Sequence, residues 1–211
     1  PLIVHIASLE MLHEVVARCS RKAERLVERF WPGALTLVLP KSAAVPGIVT
    51  AGLPTVAVRM PDHPMALELI RIAGVPIAAP SANRFGCLSP TTAAHVREQL
   101  GDRVDYILDG GPCVIGVEST ILDLTDEPPR LLRPGGLPIE EIESVIGPVT
   151  LERESLDRPR APGQLPSHYA PRTPLLILDE KTPLPTSLRD VGLLCFRTPR
   201  PDVPASHVEI L

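Results

Sequence analysis

Three signatures of nucleotide and metal handling are missing from this chain. Its 211 residues contain no Gly-x-x-x-x-Gly-Lys-[Ser/Thr] loop, no Gly-x-Gly-x-x-Gly run and no metal-ligand motif. P-loop NTPases, dinucleotide-binding Rossmann domains and zinc modules are set aside on that ground. Any phosphate must therefore be held by scattered hydroxyls, arginines and backbone N–H groups. Apolar runs are short, and none reaches the roughly 18 residues that span a bilayer. Aromatic residues make up only 3% of the chain and the formal net charge is -4. With no aromatic-plus-basic strip and no global positive field, a nucleic-acid-binding surface is disfavoured. The four cysteines, Cys19, Cys87, Cys113 and Cys195, match no zinc or redox spacing. They read as small buried hydrophobes of a protein in the reducing cytoplasm.

What is present is a well-supplied core and much proline. Hydrophobic residues account for 44% of the chain, and the 26 prolines follow no period. Prolines mark strand and helix starts and then crowd the stretch after Arg158. The chain opens directly on Leu2-Ile-Val-His-Ile6, which reads as an internal core strand. Such a strand leads us to expect further sequence upstream of Pro1.

Local signals predict the elements. Ser8 is a fair N-cap for Leu12, Val15, Val16 and Cys19. Ala23, Leu26, Val27 and Phe30 form a helical stripe that Trp31-Pro-Gly33 stops. Leu35–Leu39 and Thr55–Met60 read as strands, the latter alternating around Val56 and Val58. Pro64 opens a helix that Gly74 closes. Pro76–Ala79 is a short strand, and Ser89-Pro90 reads as the cap of a helix ending at Gly101. Asp105–Asp109, Ser119–Leu124 and Arg130–Arg133 read as strands, and Pro138–Ile146 as a helix. The result is a mixed α/β domain ending near Gly147, then a linker rich in charge and proline. Leu175–Leu178 and Val191–Phe196 look like buried parallel strands of a second, small α/β domain. The expected boundaries are 1–148, 149–171 for a linker or lid, and 172–211.

Several residues carry chemistry, and each admits a plain structural reading too. Pro80-Ser-Ala-Asn83 ends a strand, where open α/β sheets bind ligands. Ser81 would touch phosphate or ribose while Asn83 fixes the loop, or the segment is an Asx-turn. Ser89 bonds a phosphate oxygen or caps its helix. Arg59 and Arg133 end apolar strands, so each guanidinium faces a ligand or pairs with a protein carboxylate. Gly135-Gly136 lets backbone N–H groups approach an anion. His5 is a core histidine or a ligand group. Glu118 and Ser119 point to opposite faces, and Ser119 is preferred because a carboxylate repels phosphate. Tyr169 stacks on a base or pins the linker.

The segments PLIVHIAS, FWPGALTLVLP, TVAVRMP, PIAAPSANRFG, GGPCVIGVESTILDL, LLRPGG and APGQLPSHYAP occur in that order between Pro1 and Pro171. Together they closely resemble the YrdC-like threonylcarbamoyl-AMP synthases, in the long form with a linker and a C-terminal domain. The resemblance implies a YrdC-like open, twisted mixed α/β sheet with a concave cleft, followed by the start of a small Rossmann-like domain. It implies a nucleotidyltransferase that makes threonylcarbamoyl-AMP and pyrophosphate from L-threonine, bicarbonate and ATP with Mg²⁺. The product would pass to a tRNA threonylcarbamoyl transferase for threonylcarbamoyladenosine formation, with no membrane and no stable nucleic-acid binding of its own. By motif position, His5, Arg59, Ala79 and Ser119 would hold threonine. Thr55, Ser81, Ser89 and Arg133 would hold ATP, with Tyr169 from a linker folding over the cleft. Ala79 can offer only its backbone.

The family's Thr-x-Tyr-Gly segment and Lys-x-Arg pair are absent from this chain. The catalytic residues are therefore unknown, and the chain as given is expected to bind weakly or be inactive. Two other readings compete. A carbamoyl-adenylate-handling module of hydrogenase maturation shares the fold, but the linker with His168-Tyr169 argues against it. An RNA-binding YrdC-like module is the other, and the net charge of -4 argues against that.

Overall fold

Hydrogen bonds within a single turn start most of the helices. Helix α1 (Leu9–Val15) begins where the Ser8 hydroxyl accepts from the Met11 N–H, and α2 (Arg21–Phe30) where Ser20 accepts from Ala23. Both satisfy an otherwise orphaned donor. Helix α3 (Pro64–Ala73) starts on proline and ends on Gly74, whose φ of 66° suits a residue without a Cβ. Helix α4 (Ala93–Leu100) is capped by Thr92, not by Ser89. Ser89 lies too far upstream to reach the first-turn N–H groups and bonds elsewhere. Helix α5 (Ile139–Ile146) buries Ile142 and Ile146.

The structure is a computed structural model that describes residues 1–151, 159–164, 170–171, 173–178, 191–195, 203 and 205–210. It forms two units, Pro1–Arg172 and Thr173–Leu211.

The first unit is built on one mixed sheet. Its strands are β1 (Ile3–His5), β2 (Leu35–Pro40), β3 (Thr55–Arg59), β4 (Ile77–Ala79), β5 (Thr120–Asp123), β6 (Arg130–Arg133) and β7 (Thr150–Leu151). Their spatial order is β4-β1-β3-β2-β5-β6-β7. Parallel pairs β1–β3, β2–β5 and β6–β7 alternate with antiparallel pairs β1–β4, β2–β3 and β5–β6. The α/β class and mixed sheet match the expectation. Strand β7 sits on an edge and was not anticipated, because two exposed residues carry no hydrophobic pattern.

Register assigns every side chain to a face, since cross-strand partners point the same way and neighbours alternate. Val4, Leu37, Leu39, Val56, Val58 and Leu122 point to one face and meet Leu12, Leu26, Val27 and Ile142 of the helices. Full burial of each such side chain contributes roughly 1.5–3 kcal/mol. The opposite face carries Ile3, Val38, Ala57, Ile121 and Leu132, and Ala161 packs against them. That second face also carries the polar groups described below.

Two expected strands are absent. Asp105–Asp109 forms none, and Tyr106 and Leu108 are exposed. In the second unit Leu175–Leu178 forms no strand among the described residues, with Ile177 91% exposed. Apolar character alone mimicked a strand in both places. Strand β8 (Val191–Cys195) does form, and it pairs in parallel with β9 (Ala205–Ile210).

Candidate functional site

Most of the polar groups on the second face gather at one end of the sheet. His5 ends β1 and lies directly across from Arg59, which ends β3. Strand β2 runs antiparallel to β3, so its first residues lie beside Arg59. Strand β5 is parallel to β2 and brings Ser119, just before Thr120, to the same end. Arg133 closes β6 opposite Ile121. A β-bulge at this point gives β6 one extra residue and lets both Leu132 and Arg133 serve this face.

Each cation is held by backbone. The Arg59 Nε donates to the Gly33 carbonyl at 2.8 Å, and the Gly33 N–H donates to the Met60 carbonyl at 2.9 Å. A Cβ on Gly33 would overlap the Phe30 carbonyl, so the Trp31-Pro-Gly33 turn does more than stop α2. Arg133 is only 8% exposed and donates to the Ser119 carbonyl from Nη2 at 2.8 Å and from Nε at 3.2 Å. Its Nη2 also reaches Ser119 Oγ at 3.2 Å, and its Nη1 reaches the Pro162 carbonyl at 3.2 Å. Gly135 has no room for a Cβ because the backbone of Glu118–Thr120 occupies that position. The Gly136 N–H donates to the Glu118 carbonyl at 2.8 Å, which clamps Ser119 between β2 and the glycine loop.

Electrostatics at this end favour an anionic ligand. Burial pushes the Arg59 guanidinium below its ordinary pKa; Asp62 opposes that shift and Arg133 adds to it. Two guanidiniums that repel each other make a carboxylate or phosphate welcome between them. Burial, then the charge of Arg59, lowers the His5 imidazole to about 4, against weak support from the Ile77 and Ile3 carbonyls. His5 is therefore neutral at pH 7, and its buried Nδ1 has no hydrogen-bond partner among the described residues. A neutral, unsatisfied ring nitrogen suits a ligand amine.

The other expected residues spread along the same face. Ala79 pairs with Ile3, midway down the sheet. Thr55 begins β3, four residues from Arg59 and therefore about 13 Å away. It lines a cavity of about 350 Å³ with Pro40, Leu53, Asp126 and Arg160. Ser81 follows Ala79 toward this same end and is exposed. Asn83 Nδ2 bonds the Arg84 and Cys87 carbonyls, whereas its Oδ1 has no partner among the described residues. The loop is thus held by the amide donor and not by an Asx-turn. Ser89 Oγ donates to the Glu118 carboxylate at 2.6 Å, so a phosphate would have to take it from that bond. Tyr169 and His168 lie outside the described residues. A larger cavity, about 710 Å³, lies between α1 and α2 on the helical side and holds none of these residues.

Sequence reading missed three contributors. Thr36 is fully buried and its Oγ1 lies 2.7 Å from Ser119 Oγ. Asp123, 1% exposed, accepts from the Thr125 N–H at 2.9 Å and from Arg160 Nη1 at 2.9 Å. Arg160 thereby fastens residues 160–164 to the sheet, and Ala170 N–H donates to the Gly86 carbonyl at 3.0 Å. The signal was available for two of them: a hydroxyl and a carboxylate, each inside an apolar strand, need a partner.

The architecture defines a YrdC-like α/β module, an open mixed sheet with one apolar helical face and one face arranged for an anion. A family model, Sua5/YciO/YrdC, described as telomere recombination, matches residues 1–135, and one for the threonylcarbamoyl-AMP synthase C-terminal domain matches residues 137–209. The chain belongs to the Sua5/YciO/YrdC family. It is 53% identical to the threonylcarbamoyl-AMP synthase of Pyrococcus abyssi, over 85% of this chain and 54% of that protein. It is 54% identical to the synthase of Bacillus subtilis, over 85% of this chain and 53% of that protein. It is also similar to the crystal structure of P. abyssi Sua5 complexed with L-threonine. There the TM-score is 0.81 and the identity 49%, covering 95% of this chain and 55% of that one. The chain spans about half the length of these relatives.

Proposed function

We propose that this chain supplies the threonine end and part of the nucleotide end of a threonylcarbamoyl-AMP synthase. The observation that carries the reading is the convergence of His5, Arg59, Ser119 and Arg133 on one end of one sheet face. The relatives named as synthases support it, as does the Sua5 structure holding L-threonine. The match of residues 137–209 to a synthase C-terminal domain favours this reading over a hydrogenase-maturation module.

In this reading the threonine carboxylate lies on the Arg59 guanidinium and the amine faces neutral His5. The Ala79 backbone borders the amino acid. Bicarbonate condenses with the amine to a carbamate, losing water. A carbamate oxygen then attacks the α-phosphorus of ATP, and the bond to pyrophosphate breaks. Such a displacement needs positioning and charge stabilisation more than a protein nucleophile. Arg133, Thr55, Ser81, Ser89 and Tyr169 are the nucleotide side. Among the described residues no three His, Cys, Asp or Glu side chains cluster, so the Mg²⁺ would arrive with ATP, held by phosphate oxygens and water. The product would leave for a tRNA-modifying transferase in the cytoplasm.

The test is L-threonine binding by calorimetry at pH 7.5 with wild type and Arg59→Ala. Losing a charge-assisted contact of roughly 1.5–3 kcal/mol weakens binding by about 10- to 150-fold. Equal affinity in the two proteins, with circular dichroism unchanged, rejects the assignment.

A further inference from the structure

We propose that Thr36 is a positioning residue that fixes the Ser119 hydroxyl as a hydrogen-bond donor toward the ligand. The proposal rests on the reading of Ser119 as a threonine contact. Thr36 sits in the apolar run Leu35–Leu39 and is fully buried. Its hydroxyl has one hydrogen-bond partner among the described residues, Ser119 Oγ at 2.7 Å, and geometry alone lets either atom donate.

Proton accounting decides the direction. Either arrangement leaves one proton without a protein partner among the described residues. On Thr36, 0% exposed, it would be stranded, whereas on Ser119, 4% exposed at the strand end, it can reach water or a ligand. Thr36 therefore donates and Ser119 Oγ accepts. Ser119 Oγ also accepts from Arg133 Nη2 at 3.2 Å. A hydroxyl oxygen has two lone pairs and one proton. With both lone pairs occupied, Ser119 keeps only its proton to offer. Its remaining tetrahedral direction holds a donor and rejects another donor.

The consequence is chemical discrimination. A locked donor takes a carboxylate, carbamate or carbonyl oxygen and cannot accept from an ammonium group. The oxygen end of an α-amino acid is then steered to Ser119 and Arg59, and the amine is left to neutral His5. Register keeps the device rigid, because Leu35 pairs with Thr120 and Thr36 with Ile121 in the β2–β5 ladder. The Thr120 N–H also donates to the Ala34 carbonyl at 2.9 Å.

The test is L-threonine calorimetry on Thr36→Val, Thr36→Ser, Ser119→Ala and the Thr36→Val/Ser119→Ala double variant, with Trp31 fluorescence to confirm folding. Thr36→Val keeps the shape and loses the donor, and about tenfold weaker binding is expected. Thr36→Ser restores the donor and binds within about threefold of wild type. The double variant binds no more weakly than Ser119→Ala, because Thr36 acts through Ser119. Wild-type binding by Thr36→Val beside an impaired Ser119→Ala overturns the proposal, and so does simple additivity. If Ser119→Ala itself binds like wild type, the assignment of Ser119 to the ligand is what fails. Thr36→Ala carries the same expectation if valine does not fit the site.

Discussion

The neutral His5 makes the stability of the first unit depend on pH in a stated direction. Its imidazole titrates at about 4 in the folded chain against 6.5 for an ordinary histidine, mainly because burial disfavours the charged form and Arg59 adds repulsion. The unfolded chain therefore takes up this proton first. Above pH 6.5 neither state is protonated and His5 is silent. From pH 6.5 down to about 4 the unfolded state binds more protons, so stability falls as pH falls. Below about 4 both states are protonated and the loss is complete. The gap between the two values corresponds to about 3 kcal/mol. The perturbation is His5→Gln, which keeps a polar group of similar length and removes the titration. Urea unfolding followed by Trp31, the single tryptophan, is measured for both proteins between pH 7.5 and pH 4. Carboxylates titrate alike in both, so they cancel in the difference. Wild type should lose about 3 kcal/mol more than the variant across that range. Parallel curves, or an imidazole resonance titrating near its ordinary value, would refute the reasoning.

Further outcomes follow from the close packing around the site. Gly135→Ala places a Cβ on the Glu118–Thr120 backbone. It should destabilise the unit by about 2 kcal/mol or more and abolish threonine binding, as read by urea melts and calorimetry. Arg160→Ala leaves the buried Asp123 carboxylate without its cation. Proteinase K should then cut residues 159–164 several-fold faster, and an unchanged rate would mean that this ion pair does not hold the segment. In wild type, threonine with ATP should slow cleavage across Ala161–Pro171 if that stretch closes over the face, and Tyr169→Ala should remove the protection.

The sequence determined what is settled within a turn or two of chain. Ser8 and Gly74 marked helix ends correctly because each bonds backbone groups three or four residues away, and Pro64 because it fixes its own φ and carries no N–H to leave unpaired. Arg130–Arg133 and Val191–Cys195 were legible because they combine β-forming apolar residues with clear breaks. The ordered motifs named the family and its candidate residues, since recognition needs only the order of residue types. Pairing across the sheet was not legible. Leu175–Leu178 has a strand's composition and no strand partner among the described residues, whereas Thr150–Leu151 pairs with β6 despite lacking the pattern. Only tertiary structure brought Gly33 to Arg59, Thr36 to Ser119 and Arg160 to Asp123, contacts separated by 26, 83 and 37 residues. The reason is physical: a buried hydroxyl or charge demands a partner, but its own sequence neighbourhood does not say which strand will deliver one.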